Sequence, residues 1–145
     1  MGLHVVRLDR FFPAPPERVF DQFADHAGFG ELWGLKVKRI RAGAEPAQPN
    51  GLGSVRRIPS PVGPFEETIV GFKRYRLIEY TVSRGGPIKD HLGRIEFSPV
   101  PGGTQVSYSI RFAPRFPLTG ALIAAILRRD WARHSPRVAT RLALA

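Results

Sequence analysis

Six consecutive segments in the middle of this chain alternate apolar and polar residues with a period of two, the periodicity of β-strands. The segments are Val37 to Arg41, Gly53 to Ile58, Phe65 to Phe72, Leu77 to Arg84, His91 to Ser98 and Thr104 to Phe112. The gaps between them are rich in Pro and Gly, residues that favour turns. Consecutive strands with short connections form an antiparallel meander. The sequence therefore predicts an antiparallel sheet over this region.

A strand and two short helices are predicted before this run. His4 to Phe12 is rich in β-branched and aromatic residues, as strands are. Pro16 and Glu17 then suit the first turn of a helix, because proline needs no hydrogen-bond partner there and a carboxylate favours the positive end of the helix dipole. Asp25 is expected to cap a second helix that ends near Trp33.

A long amphipathic helix is predicted from Pro117 to the C-terminus. Its apolar stripe consists of Ile123, Leu127, Trp131, His134, Val138 and Leu142, at spacings of three and four residues. Pro136 lies within the stripe and is expected to kink the helix or to split it. Only the sheet offers a surface large enough to cover such a stripe, so the helix is expected to pack on the sheet.

Composition excludes several classes of protein. The 145 residues suffice for one domain with a core, and 43% of them are hydrophobic. The chain has no cysteine, which excludes disulfides, thiolate metal sites and cysteine nucleophiles. No apolar stretch is long enough to span a membrane, and Met1 to Phe12 lacks the apolar core of a signal peptide. We therefore expect a cytoplasmic protein.

The net charge of +10 is the other unusual property, and 18 of the 22 basic residues are arginines. Such a field attracts nucleic acid, anionic membranes and acidic ligands at low salt. The arginines are dispersed, however, and no aromatic residues interleave with them as stacking platforms for bases. A basic interaction module is therefore the weaker alternative, and no specific nucleic-acid partner is predicted.

Three local motifs occur in the order of a known superfamily. Ala14 to Phe20 resembles the AP-x-E-x-V(F/W) opening of the START-like superfamily, also called Bet v 1-like or SRPBCC. Gly51 to Arg56 is similar to its G-x-G-(S/T)-x-R entry to the third strand, and Gly102 to Val106 to its GGT-x-V hairpin. The resemblance implies a single START-like domain over 1–145. Its fold class is α+β: a helix-grip fold in which a curved antiparallel sheet of about seven strands wraps around the C-terminal helix.

The resemblance also implies a ligand cavity between the sheet and the long helix. Members of the superfamily bind lipids, sterols, polyketides, plant hormones or quinones, and a minority are polyketide cyclases or dehydratases. We therefore expect this chain to bind a small, mostly apolar molecule, with catalysis left open. Neither a cofactor nor a metal is predicted, since the four histidines lie on four different elements. Stable membrane insertion is not expected, while a weak homodimer through an edge strand stays open.

Alternation within the strands indicates which residues line this cavity. It places Tyr80, His91, Ile95, Tyr108 and Ile110 on the inward face of the sheet. His91 is the candidate proton donor or acceptor of a cyclase-type enzyme, with Tyr108 or Tyr80 as partner. In the alternative interpretation, His91 lies near a strand end and is hydrogen-bonded to a neighbouring residue, and the tyrosines are ordinary core residues.

The remaining candidates come from the helices and from two charged strand positions. Leu127, Trp131 and His134 belong to the helix stripe and could line the cavity or only pack. Trp33 lies where the family often has the cavity mouth, so it could gate the entrance or plug the core. We expect Arg56 and Glu67 to point outward as solvated charges. If both point inward, they could pair and anchor a carboxylate or hydroxyl group.

Overall fold

An eight-stranded antiparallel sheet and three helices form the structure, a computed structural model that describes residues 2–144. The strands are β1 (His4–Arg7), β2 (Arg10–Phe12), β3 (Lys38–Arg41), β4 (Val55–Ile58), β5 (Phe65–Lys73), β6 (Leu77–Arg84), β7 (Ile88–Val100) and β8 (Gly103–Pro114). The helices are α1 (Pro16–Ala24), α2 (His26–Trp33) and α3 (Gly120–Leu144). The predicted α+β helix-grip fold is confirmed. Met1 and Ala145, the ends of the predicted domain, lie outside the described residues.

The strand order is β1-β8-β7-β6-β5-β4-β3, and β2 also pairs with β8. The sequence predicts one strand over residues 4–12, but the structure divides it into β1 and β2. The backbone N–H of Leu8 donates to the Tyr108 carbonyl (2.8 Å), while the Asp9 carboxylate accepts from the Tyr108 N–H (3.0 Å). Because the Asp9 side chain replaces a backbone acceptor, the regular ladder is interrupted there. This division explains eight strands where about seven are predicted.

Irregular pairing curves the sheet. The β5–β6 register shifts between Ile69 and Gly71, and the β7–β8 register shifts between Lys89 and Leu92. Such bulges bend the strand and increase its twist. The concave face is lined by the predicted inward residues, including the β8 series Val106, Tyr108, Ile110 and Phe112, all of which are buried. The convex face carries the exposed polar residues.

Helix α3 differs from its prediction at two points, its start and its buried face. It begins at Gly120 rather than near Pro117, because Leu118 has a positive φ of 65° that ends regular structure. The helix continues through Pro136 without splitting, so of the two predicted effects of this proline only the kink stays a prediction. The buried face consists of Gly120, Ala124, Trp131, Ser135, Val138, Ala139 and Leu142, whereas Ile123, Leu127 and His134 are only half-buried. Four small residues form much of this face, which lets α3 lie close to the elements it packs on.

Candidate functional site

Arg56 and Glu67 form an ion pair inside the protein. They lie directly opposite each other on β4 and β5, both are buried, and Arg56 Nε donates to Glu67 Oε1 at 2.9 Å. The expectation that they point outward is wrong. Alternation alone could not orient β4 and β5, because residues 59–64 between them are a proline-rich loop that leaves the register open. Burial raises the pKa of Glu67, while the charge and hydrogen bond of Arg56 act in the opposite direction.

The Arg56 guanidinium contacts two aromatic rings. Its Cζ is 3.6 Å from the centroid of Phe29 on α2 and 4.5 Å from that of Tyr80 on β6. Cation–π attraction of this kind offsets part of the cost of removing the charge from water. Nη1 and Nη2 are buried and have no hydrogen-bond partner among the described residues. A guanidinium has five N–H donors, so most of the donor capacity of Arg56 is unused.

Next to the ion pair, the Tyr80 and Tyr108 hydroxyls form a hydrogen bond across the sheet. We call Glu67, Arg56, Tyr80 and Tyr108 the polar line. The two residues lie on β6 and β8, with β7 between them. Gly93 of β7 faces Tyr80, and a Cβ at Gly93 would overlap the Tyr80 ring. The glycine therefore lets the ring lie across β7 and reach Tyr108. Burial raises the pKa of both hydroxyls, so both stay protonated, and one of them donates to the other.

Aromatic side chains fill the space between this polar line and the helices. We call Phe23, Phe29, Trp33, Tyr80, Tyr108 and Trp131 the aromatic cluster. Trp33 and Trp131 have ring centroids 5.4 Å apart, and Trp131 and Tyr108 are 5.3 Å apart. Trp33 is buried. In this structure the Trp33 side chain is therefore packed within the core.

His91 lies at the bulge in β7, and its ring contacts Tyr80 at a centroid distance of 5.3 Å. Nδ1 accepts a hydrogen bond from the Val82 N–H at 2.9 Å. The neutral ring therefore carries its proton on Nε2. Burial, followed by the charges of Arg56 and Arg111, lowers the pKa of His91 to about 4. His91 is thus a neutral hydrogen-bond donor at pH 7.

The structure brings only some of the predicted site residues together. One contiguous group, joined by the contacts described above, contains Arg56, Glu67, Tyr80, Tyr108, Trp33 and Trp131. Ile95 and Ile110 are buried on the same face of the sheet. Leu127 packs against the edge of the core, and His134 lies against Gly34 at the end of α2. His91 contacts the aromatic cluster through Tyr80.

Two surface pockets flank the site. One, of about 480 Å³, is lined by His91, Thr81, Val82 and Arg111, with Asp90 and Leu3 at its edge. The other, of about 130 Å³, lies between α1 and residues 47–51, with Phe20 and Phe72 in its wall. Arg56 lines neither of these two pockets. A molecule that reaches the Arg56 nitrogens must therefore displace side chains of the aromatic cluster.

Sequence reasoning missed a buried hydrogen bond beside the ion pair. His26 Nε2 and the Ser54 Oγ are 3.1 Å apart, and both side chains are buried. Burial, the charge of Arg56 and that of Arg39 together lower the pKa of His26 to about 3. The sequence analysis also did not identify Phe29, whose ring covers Arg56. The signal for Phe29 was available in its spacing from Trp33, four residues along α2, which places both on one helix face.

Solved structures with the same fold share little sequence with this chain. A START superfamily protein from Mycobacterium smegmatis superposes with a TM-score of 0.77 at 14% identity, covering 96% of this chain and 97% of that one. The Zhui aromatase/cyclase from Streptomyces sp. R1128 superposes with a TM-score of 0.76 at 16% identity, and the match covers 97% of this chain and 94% of that one. Ara h 8.0201 superposes with a TM-score of 0.73 at 12% sequence identity, and the match covers 99% of this chain and 100% of that one. These likenesses establish the fold.

Sequence comparison gives the family. A search of curated proteins finds no match. Residues 4–145, by contrast, match the family described as "Polyketide cyclase / dehydrase and lipid transport", which is nearly the whole chain. The order of its motifs and its helix-grip fold agree with that assignment, so this chain belongs to the polyketide cyclase/dehydrase and lipid transport family.

Proposed function

We propose that this protein binds a small, mostly apolar molecule that carries a polar oxygen group, between the concave face of the sheet and helices α2 and α3. The observation that carries the proposal is the pair of unpartnered nitrogens on the buried Arg56 side chain. Family membership supports a role in holding small molecules. The aromatic rings next to the guanidinium favour an apolar ligand body.

The polar anchor has a clear chemical preference. Nη1 and Nη2 form a planar fork that fits two oxygens, as in a carboxylate. The Tyr80–Tyr108 pair offers one further donor on the same face, because one hydroxyl donates to the other. Glu67 already bonds Nε, so it holds the guanidinium in place and leaves the fork free for a ligand. A ligand oxygen in this place would satisfy donors that are otherwise buried without partners.

Two fluorescent probes that differ by one group test this proposal. 1-Anilinonaphthalene-8-sulfonate carries an anionic sulfonate, and N-phenyl-1-naphthylamine has the same ring system without it. We expect the wild-type protein to bind the sulfonate probe more tightly. Arg56→Met should weaken binding of the sulfonate probe by roughly 10- to 100-fold, the usual worth of a hydrogen bond to a charged group. The same variant should bind the neutral probe about as well as wild type.

Arg57→Met is the matched control, because Arg57 is the next residue on β4 and is exposed. It should leave binding of both probes unchanged. Binding of neither probe by the folded wild-type protein would refute the proposal. Equal loss in the Arg56 and Arg57 variants would show general charge attraction and would refute the role of Arg56.

Acid–base catalysis on a polyketide-like substrate is the second candidate function. The Tyr80–Tyr108 hydroxyl pair favours it, because buried hydroxyl donors can polarise a substrate carbonyl. The fold is also that of the Zhui aromatase/cyclase. His91 would act here as a donor through Nε2, since Nδ1 is bonded to Val82. In this candidate one hydroxyl of the Tyr80–Tyr108 pair donates to the other, and the second hydroxyl donates to the substrate oxygen. His91, whose ring contacts Tyr80, is a further donor.

A chemical assay separates catalysis from binding. A linear poly-β-ketone thioester would be incubated with the protein and analysed by mass spectrometry for loss of water and by absorbance for an aromatic product. Catalysis predicts product formation that Tyr108→Phe and His91→Gln reduce, while both variants still bind N-phenyl-1-naphthylamine. No product from a protein that binds the thioester would reject the catalytic candidate and leave the binding proposal intact.

A further inference from the structure

Four large apolar side chains are exposed near the start of α3. Leu118 is 96% exposed, Leu122 61%, Phe116 57% and Ile126 37%. Leu122 and Ile126 are four residues apart on α3, so they share one face. That face lies opposite the one that packs on the core through Ala124 and Trp131. Single exposed apolar residues are common, but four within eleven positions of the chain indicate a contact surface.

Arginines continue this apolar surface. Arg129 and Arg133 follow Leu122 and Ile126 on the same side of α3, and Arg115 directly precedes Phe116 in the chain, whereas Arg128 lies on the side of α3 that carries Ser135 and Ala139. All four are exposed. Within residues 2–144, Arg115, Arg128 and Arg133 form no ion pair with a carboxylate, and Arg129 has only an exposed contact with Asp130 at 3.2 Å. These cations are therefore available to an anionic partner.

We propose that this docking face, made of Phe116, Leu118, Leu122 and Ile126 with Arg115, Arg129 and Arg133, binds the surface of an anionic phospholipid bilayer. Helices with apolar residues beside arginines lie in the plane of such surfaces, with apolar groups at the acyl boundary and cations at the phosphates. No helix in the described chain has the length and apolar character needed to cross a bilayer. The protein thus docks peripherally, and the inner face of α3 stays on the core.

An acidic protein or RNA fits these residues less well. Proteins that bind single-stranded RNA stack its bases on aromatic rings, and Phe116 is the one ring on the docking face. An acidic surface would pair with the arginines but leave Leu118 and Leu122 exposed. A bilayer satisfies both the apolar and the cationic residues. This inference goes beyond the proposed function, because docking does not require a ligand near Arg56.

Co-sedimentation with vesicles tests the proposal. We expect the wild-type protein to bind vesicles of phosphatidylcholine mixed with phosphatidylglycerol, and to bind phosphatidylcholine alone at least roughly tenfold more weakly. Leu118→Ser/Leu122→Ser should reduce binding to mixed vesicles by at least about tenfold. Arg129→Gln/Arg133→Gln should reduce it by about 30-fold, at roughly 1 kcal/mol for each arginine near the surface. High salt should weaken wild-type binding.

Matched control variants change the same residue types elsewhere on the surface. Leu52→Ser/Val62→Ser and Arg41→Gln/Arg84→Gln alter exposed residues on other elements and should bind mixed vesicles like wild type. All variants should bind N-phenyl-1-naphthylamine normally in the absence of vesicles, which separates docking from ligand binding. Equal binding to neutral and mixed vesicles, or equal loss in the controls, would overturn the proposal. So would loss of poly(U) binding in the docking arginine variant with unchanged vesicle binding.

Discussion

The buried guanidinium of Arg56 is the group whose burial costs this protein most. Arg56 has lost its hydration, and its compensation is one ion pair, two aromatic faces and no bond to either Nη nitrogen among the described residues. Replacing a buried ion pair with apolar residues is often neutral or stabilising, whereas removing one partner is strongly destabilising. The cost of holding the pair in this way agrees with the proposed role of Arg56 in binding.

Substitution of the pair should show this asymmetry. We expect Glu67→Met to lower the free energy of unfolding by about 3–5 kcal/mol, because the Arg56 charge is left without a counter-charge. Arg56→Met/Glu67→Met should recover most of that loss. Urea denaturation of wild type, both single variants and the double variant measures the coupling. A double variant as unstable as Glu67→Met would contradict this view of the pair.

Gly93 should tolerate no side chain while Tyr80 is present. A methyl group there overlaps the Tyr80 ring, so we expect Gly93→Ala to cost about 1–3 kcal/mol, as overpacking usually does. In a Tyr80→Ala background the same change should cost much less, since the ring is gone. Thermal or urea unfolding of the four proteins measures the difference. An equal cost in both backgrounds would mean that β7 requires glycine for another reason.

Two buried histidines should make the protein sensitive to mild acid. An unfolded histidine titrates near pH 6.5, whereas burial and nearby arginines hold the pKa of His26 at about 3 and that of His91 at about 4. Between pH 6.5 and 5 the unfolded chain therefore binds protons that the folded chain does not. Stability should fall as pH falls, by up to about 1.4 kcal/mol per pH unit for each histidine.

Single substitutions separate the two contributions. His26→Gln and His91→Gln should each flatten the dependence of unfolding free energy on pH in this window, and the double variant should flatten it further. Glutamine can keep a hydrogen bond to Ser54 or Val82 in each case. Urea denaturation at several pH values measures the slopes. A slope in the double variant equal to that of wild type would reject the assignment.

At the scale of elements, α2 positions much of the site. It carries Phe29 over Arg56 and Trp33 against Trp131 of α3. Its first turn is capped by the Asp25 carboxylate, which accepts from the Gly28 N–H at 2.8 Å. Its last turn ends at Gly34, whose φ of 70° favours glycine and whose Cα lies against the His134 ring. Both ends of this eight-residue helix are therefore fixed by local chemistry.

Removing the cap should weaken α2 and the site together. We expect Asp25→Ala to lower the free energy of unfolding by about 1 kcal/mol, the usual worth of an N-cap. Asp25→Asn keeps an acceptor oxygen and should stay close to wild type. Urea denaturation measures stability, and titration with N-phenyl-1-naphthylamine reports on the site. Equal destabilisation by both substitutions would show that the charge, rather than the cap bond, is what matters.

At the scale of the whole molecule, the site is closed by its own aromatic side chains. A ligand that reaches Arg56 must move members of the aromatic cluster, which include Trp33 and Trp131, the two tryptophans of the chain. Binding should therefore follow an opening step. In stopped-flow tryptophan fluorescence, the observed rate with 1-anilinonaphthalene-8-sulfonate should level off at high probe concentration. A rate that rises linearly without limit would indicate a site that is already open.

The sequence by itself determined the order of elements, the inward faces of β6, β7 and β8 and the family, because alternation, turn residues and capping residues are local signals. It could place Tyr80 and Tyr108 on one face, but their hydrogen bond depends on Gly93 in the strand between them. The orientation of Arg56 and Glu67 was decided only by the tertiary structure, since register between strands is a long-range property. The same holds for the buried face of α3, because packing against a curved sheet, rather than helical periodicity alone, selected Ala124, Ser135 and Ala139.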